Sequence, residues 1–520
     1  MNHFGRLPTE LVVNIIECLD PLSLVAASGV RSQYILAALE TNTAATIWLD
    51  MQTMALNYEL HSPTAYRRLL SRCLEELKAY YARYSSLRWM KSYCFQMEYG
   101  NLWELYGGVY AQGAMGHGML KFRKAMVATT SEDERVWEIN TGVPIRDFSM
   151  DVFQDLVVLV DYRNTGSERQ VRFHSMSTGT PHPLAKRPVV TINATEPRFE
   201  SCNIAINNDL VGILFQDQIL YANQRLESNV LGVWAWKTGD MLLRLPSTLD
   251  HVVETMCFLS SSHILVGWRT LFYREGINRQ VMPSLDVYEF SKGVDAQPSK
   301  RFLLPKMKET ATVLEFSICC DSTPTPSQYC PRPFYTSPDH RICKVQISLG
   351  DELDGMLTRE SPMTLLLFTH TFLRDYKPMG AILGEGTSTT IVPWELWGES
   401  TRLTLWNSPA SVYSICVNGL RVIRKISTGV QQHFKIQLCD FNPYAVSSIE
   451  SLPGKPTSTY RYVNSAMEST FNMHIFTQQV YTPLPYLEVT TKRSFEARDV
   501  MLDHDNVYLV RGREIEVLSF

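Results

Sequence analysis

The chain reads as a small all-α module followed by a large all-β body. Three observations predict this. The first 50 residues carry helical periodicity with two proline-marked starts. From about residue 95 onward the apolar residues fall in short runs rich in Val, Ile, Tyr, Phe and Trp, split by Gly, Pro, Ser and Asn. One short pattern, an aromatic followed by a turn glycine, then recurs four times. The predicted division is residues 4–50, a helical linker 51–95, and an all-β domain 96–520.

The first helix starts at Pro8, where no amide hydrogen is needed and the fixed φ of proline helps, and Glu10 places negative charge in its first turn. Leu11, Val12, Val13, Ile15, Ile16, Cys18 and Leu19 spread around more than half of this helix, which is more apolar arc than one packing contact requires. Asp20-Pro21 repeats the start signal as N-cap and first helical residue. A second helix then carries Leu22, Leu24, Val25 and Ala27 to Ser28-Gly29, and a third spans about 32–39. A module this small lies near the limit at which a core holds without help, so a partner accounts for the surplus apolar surface. A helix pair capping the downstream domain would show the same periodicity.

Leu7-Pro8-x-Glu10-Leu11, Ile15, Leu19-Asp20-Pro21, Leu24, Val30 and Trp48 stand in the order and spacing of an F-box, and residues 4–50 resemble that family. The resemblance implies docking onto the Skp-type adaptor of an SCF (cullin–RING) ubiquitin ligase. The chain would then be a substrate receptor, not an enzyme, with Leu7, Pro8, Leu11, Ile15, Ile16, Leu19, Leu22, Leu24 and Val30 as the adaptor surface or the core beneath it. The sequence departs from the family at Ala27, where a larger aliphatic is usual, and at Arg31-Ser32-Gln33.

In the linker, Ser62-Pro63 starts a helix whose apolar positions Leu70, Cys73, Leu74, Leu77, Tyr80 or Tyr81, and Tyr84 recur at helical spacing. Arg67, Arg68, Arg72, Lys78 and Arg83 occupy its other face, either as a solvated surface or as a basic contact.

In the all-β body the repeated stretch appears at Val136–Gly142, Phe173–Gly179, Val233–Gly239 and Val287–Gly293. In the first, third and fourth copies an aromatic stands five residues before the glycine. The pattern suits a strand with one large side chain packed between sheets, then a tight turn in the left-handed region. It resembles the Trp-x4-Gly stretch of WD-like β-propeller blades, without their aspartate or a regular Gly-His partner. The resemblance implies a degenerate propeller of six to eight four-stranded blades. Further strands are expected at 154–161, 208–215, 262–268, 313–319, 364–369, 412–417, 434–438, 506–510 and 514–518. The last should close the ring against the first blade, near 109–113 or 121–129. An F-box, a helical linker and a degenerate propeller together resemble the large fungal F-box families.

With 520 residues, a net charge of −4 and pI near 6.3, the chain lacks the basic excess of a nucleic-acid binder. The longest apolar runs are strand-sized, which argues against a membrane span, and no signal-like start is visible, so the cytosol or nucleus is expected. Eleven cysteines without a Cys-x-x-Cys pair read as reduced thiols.

No catalytic motif stands out and no cofactor is expected. Gly384-Glu385-Gly386 lacks the context of a phosphate loop. Cys319, Cys320, Cys330, His340 and Cys343 form the most metal-like set, at a spacing no zinc finger uses. Asp503-His504-Asp505 reads as an acidic turn with an exposed imidazole, or as a metal or proton-transfer site. The long loop 321–340 carries Thr323-Pro324, Thr325-Pro326 and Ser337-Pro338, sites where phosphorylation would act as a switch. Trp394, Trp397, Arg402 and Trp406 form an aromatic-rich segment suited either to buried packing or to target binding. The unknown target protein would bind the propeller. The alternative function is a propeller scaffold or ligand-binding module whose opening helices mediate assembly without a ligase.

Overall fold

In the computed structural model, residues 79–520 are described apart from internal stretches, chiefly 127–133, 163–167, 322–334, 337–340, 377–381, 384–388, 405–415, 443–457 and 469–475, together with the backbone of Leu56–Asn57. The F-box-like helices, and the linker helix up to residue 78, lie outside the described residues.

Seven sheets of at least four strands each, antiparallel except for one added pair in the fourth, make a seven-bladed propeller. In chain order the blades span 102–140, 145–193, 199–246, 251–303, 311–404, 417–491, and a last one built from 499–519. At the described blade boundaries the contacts involve the first strand of at least one of the two blades, so that strand is innermost. The strands alternate apolar residues between two faces, and the cores fill the spaces between blades. Val158, Val171, Phe173, Val211, Ile213 and Trp234 pack between the second and third blades, for example.

Turns joining first to second strands lie on one face of the ring, where they latch blade to blade. Gln154 donates to the Asn208 carbonyl (2.7 Å), Asn207 to Ser260 (3.1 Å), Arg341 to Leu259 (2.9 Å), and the Gly419 amide to Asp321 (3.0 Å). Each bond crosses one blade boundary and satisfies a carbonyl or side chain that the turn would otherwise leave unpaired.

The ring is closed differently from expectation. Glu514–Ser519 pairs antiparallel with Lys91–Gln96, not with 109–113 or 121–129. The strand Val109–Gly113 is already flanked by Leu102–Tyr106 and Met119–Lys124 inside a complete first blade, and it has no free edge to offer. The seventh blade therefore takes three strands from the end of the chain and its outer strand from the segment read as linker.

The repeated glycines all hold positive φ: +71° at Gly142, +74° at Gly179, +78° at Gly239 and +94° at Gly293. Their phase differs, however. Phe173, Trp234 and Tyr288 lie on third strands, whereas Trp137 lies on the fourth strand of the first blade, Arg135–Asn140. The unequal spacing of the first copy follows from this shift. As expected for an outer strand, Trp137 stays partly exposed, stacked on Phe122 at 5.2 Å, while Trp234 is buried.

Most of the other expected strands appear, longer than read. Of the strand expected at 412–417, only Val417 falls within a described strand, Val417–Asn418, and 412–415 lie outside the described residues. No helix among the described residues is long and apolar enough to cross a membrane.

Candidate functional site

Residues 79–96 meet the propeller at a built joint. Residues 79–85 form a helix, followed by a turn and the strand Lys91–Gln96. Tyr80, Tyr81 and Tyr84 are all buried, against the sixth and seventh blades. Tyr84 stacks on Phe520 with ring centres 4.2 Å apart, and its hydroxyl donates to the His504 carbonyl at 2.9 Å.

At the centre of the joint stands Arg421, at the start of the second strand of the sixth blade, Arg421–Ser427. Its guanidinium carbon lies 4.1 Å from the Tyr84 ring centre and 5.0 Å from those of Tyr80 and Tyr81. Nη1 donates to the Tyr80 hydroxyl at 2.8 Å, and Nε faces the fully buried Asp440 carboxylate at 3.4 Å. Nη2 meets no acceptor, so the aromatic faces supply the rest of its stabilisation. Burial pushes the Asp440 carboxyl up from its usual range and Arg421 pulls it back down. Asn442 orients the pair by donating its side chain to the Tyr81 hydroxyl (2.7 Å) and its amide to Asp440 (2.9 Å).

The Asp503–Asp505 turn completes the joint. Asp503 accepts from the Asp505 and Asn506 amides, both at 2.7 Å, and from the Tyr508 hydroxyl, and burial pushes its carboxyl up to about 6. His504 is not the free, exposed imidazole expected. It packs on Tyr80 with ring centres 5.4 Å apart and a 3.0 Å contact from Nδ1 to the Tyr80 hydroxyl. The turn is thus an anchoring device, Asp503 being committed to the turn's own amides and to the Tyr508 hydroxyl. The sequence places Tyr80 or Tyr81, with Tyr84, at apolar helical spacing, but gives no sign of Arg421, Asp440, Asn442 and Phe520, since no local pattern links residues so far apart.

The other expected sites resolve as follows. Trp394, Trp397 and Arg402 are buried, so they serve packing and offer no side chain to a target; Trp406 lies outside the described residues. Trp394 and Trp397 sit in the connection between the third and fourth strands of the fifth blade, wedged toward the fourth. The Trp397 indole donates to the Leu303 carbonyl at 3.1 Å and meets Phe302 edge-on at 5.6 Å. Arg402 donates to the carbonyls of Leu484 (2.7 Å) and Pro483 (3.1 Å).

Among the described residues no group of three or more His, Cys, Asp or Glu is arranged to hold a metal. Cys319 and Cys320 are neighbours on a strand and point to opposite sides of their sheet, which splits the expected set. Cys330 and His340 lie outside the described residues. Near the axis, on the innermost strands of the first two blades, burial raises Glu104 to about 7 and Asp147 to about 6. The Glu104 carboxylate accepts from the Leu105 amide at 3.1 Å, and Asp147 lies 3.5 Å from Cys202.

No family model and no curated protein matches the chain. Among solved structures it is similar to the polysaccharide lyase Uly1, at 7% identity and a TM-score of 0.36, over 81% of this chain and 90% of that one. It is also similar to cobalt-substituted Synechocystis ACO, at 9% identity and a TM-score of 0.25, over 50% of this chain and 56% of that one.

Proposed function

We propose that the chain is the substrate-recognition subunit of an SCF-type cullin–RING ubiquitin ligase, holding a Skp-type adaptor with its opening helices and a target protein with its propeller. The observation that carries this reading is the ordered set Leu7-Pro8-x-Glu10-Leu11, Ile15, Leu19-Asp20-Pro21, Leu24 and Val30. The joint supports it. A receptor must hold its target at a fixed distance from the ligase, and a helix clamped onto the ring by Arg421 gives the N-terminal module a stiff base. Bond-making residues then belong to other subunits, and the receptor's contribution is local concentration.

The full chain and its Leu11→Asp variant should be expressed with an affinity tag and their partners identified. The reading expects adaptor and cullin with the parent chain and neither with the variant, while thermal unfolding of the propeller is unchanged. Equal adaptor recovery by both would refute it. Adaptor without cullin would favour assembly without a ligase. The cytosol or nucleus is the compartment this role requires.

A further inference from the structure

At the boundary between the fifth and sixth blades, three side chains from three strands meet. Cys319 lies on the innermost strand of the fifth blade, Ala311–Cys320, and Lys344 stands directly opposite it on the neighbouring strand, Ile342–Leu353. Cross-strand partners share a face of the sheet. Facing them from the next blade is Cys416, just before the strand Val417–Asn418, with its sulfur 3.3 Å from the Lys344 ammonium. Cys319 and Cys416 hydrogen-bond to each other, and both pack on the same apolar cluster of Ile342, Leu366, Val417 and Val422.

This is not the arrangement of an inert core thiol. The Cys319 hydrogen bond, with the Lys344 ammonium, pulls the Cys416 thiol below its usual value against the opposing effect of burial. The same hydrogen bond and burial push Cys319 up, so the two thiols are driven apart in acidity, with Cys416 the more acidic beside the ammonium. Both cysteines keep some solvent exposure. By contrast, Cys257 and Cys343 are buried and Cys320 is partly buried on the far side of the same sheet; there the Arg341 guanidinium lies 3.6 Å from the Cys320 sulfur, yet burial and the hydrogen bond with Cys257 still push the Cys320 thiol up.

We propose that Cys416 and Cys319 are a peroxide-sensitive dithiol, in which Lys344 holds Cys416 as the thiolate, and that oxidation closes them into a disulfide joining the fifth blade to the sixth. The Cys416 thiolate attacks one oxygen of a hydroperoxide. The O–O bond breaks, a sulfenic acid forms, and the departing oxygen takes a proton from solvent. The Cys319 sulfur then attacks the sulfenic sulfur; an S–S bond forms, the S–O bond breaks, and the hydroxyl leaves as water with the Cys319 proton. Two thiols are oxidised and one peroxide is reduced. The bond ties together two blades held at this boundary otherwise by packing and a few hydrogen bonds, including those from Gly419 to Asp321 and from Ile342 to Gly419.

The full reduced chain should be treated with hydrogen peroxide, its remaining thiols alkylated, and the protein digested without reductant for mass spectrometry. A peptide linking Cys319 to Cys416 is expected as the first disulfide, with a higher thermal midpoint that reductant reverses. In Lys344→Met, alkylation of Cys416 at neutral pH should slow roughly tenfold, with the difference vanishing above the ordinary thiol range, and Lys344→Arg should restore the rate. If Lys344→Met does not fold, the pH profile for alkylation of Cys416 in the parent chain decides: a midpoint below that of an ordinary thiol supports the proposal, and one at or above it overturns it. A first disulfide within Cys257, Cys320 and Cys343, or peroxide leaving Cys319 and Cys416 unlinked, also overturns it.

Discussion

The Arg421 guanidinium carbon rests 4.1 Å from the centre of the Tyr84 ring, so a strand late in the chain and a helix near its beginning share one buried cation. That contact, with the Asp440 carboxylate behind it, joins the Tyr84–Phe520 stack and the Tyr80–His504 contact in holding residues 79–85 against the ring.

Replacing Arg421 by methionine keeps much of the volume but strands Asp440, which is fully buried. Removing one partner of a buried pair costs about 3–5 kcal/mol. Chemical denaturation should show a loss of that order, and amides of residues 79–85 should exchange much faster. Arg421→Lys should recover part of the loss, since a lysine keeps the charge but not the planar fork that meets Tyr80 and Asp440 together.

Phe520 is fully buried against Tyr84 and belongs to the core shared by the sixth and seventh blades. Phe520→Ala should destabilise the chain by about 3–5 kcal/mol. Limited proteolysis should then cut first near residues 86–90, where the helix turns into the seam strand.

Glu104 and Asp147 give a pH dependence of defined sign. Burial raises Glu104 from 4.5 to about 7 and Asp147 from 3.8 to about 6 in the folded protein. The folded state therefore holds protons that the unfolded chain has released. The stabilisation is complete below the ordinary carboxylate range and is lost as pH rises through about 6 to 7. Urea midpoints should fall between about pH 5 and about pH 8, and Glu104→Gln should flatten that fall. A midpoint that rises over this interval would contradict the assignment.

The turn glycines are not equivalent. At Gly142 a β-carbon would meet open space, so Gly142→Ala should cost only the left-handed backbone penalty, about 1–2 kcal/mol. At Gly179 a β-carbon would lie 2.7 Å from the Asn140 carbonyl oxygen, and the overlap should add about 1–3 kcal/mol. Thermal unfolding of the two variants side by side checks the ranking.

Much of the all-β body was legible because its blades announce themselves locally. Phe173, Trp234 and Tyr288 precede glycines that hold the left-handed turn, and the apolar runs between them are strands. The fifth blade was harder. The connection after Met356–Phe368 reaches back so that Thr390–Val392 pairs in parallel with Lys300–Leu303 of the fourth blade, and Trp394 and Trp397 fill that crossing. Nothing in a local window distinguishes such a buried bridge from an exposed aromatic loop. All but the last residue of the seam strand Lys91–Gln96 falls in the expected linker 51–95, because its side chains are mostly polar and exposed, as suits an outer strand. The joint itself was the least legible feature, since Tyr80 and Arg421 are separated by 341 positions and each looks ordinary among its neighbours.

The pairing of Lys91–Gln96 with Glu514–Ser519 has a temporal side. During synthesis the early strand emerges with its hydrogen-bonding edge bare, and more than 400 residues must follow before its complement exists. Until then Tyr80 and Tyr84 also lack Phe520 and the His504 turn to rest on. A chain interrupted before its last strand would carry its N-terminal segment on a loose tether, so only a finished ring presents that segment in a set direction.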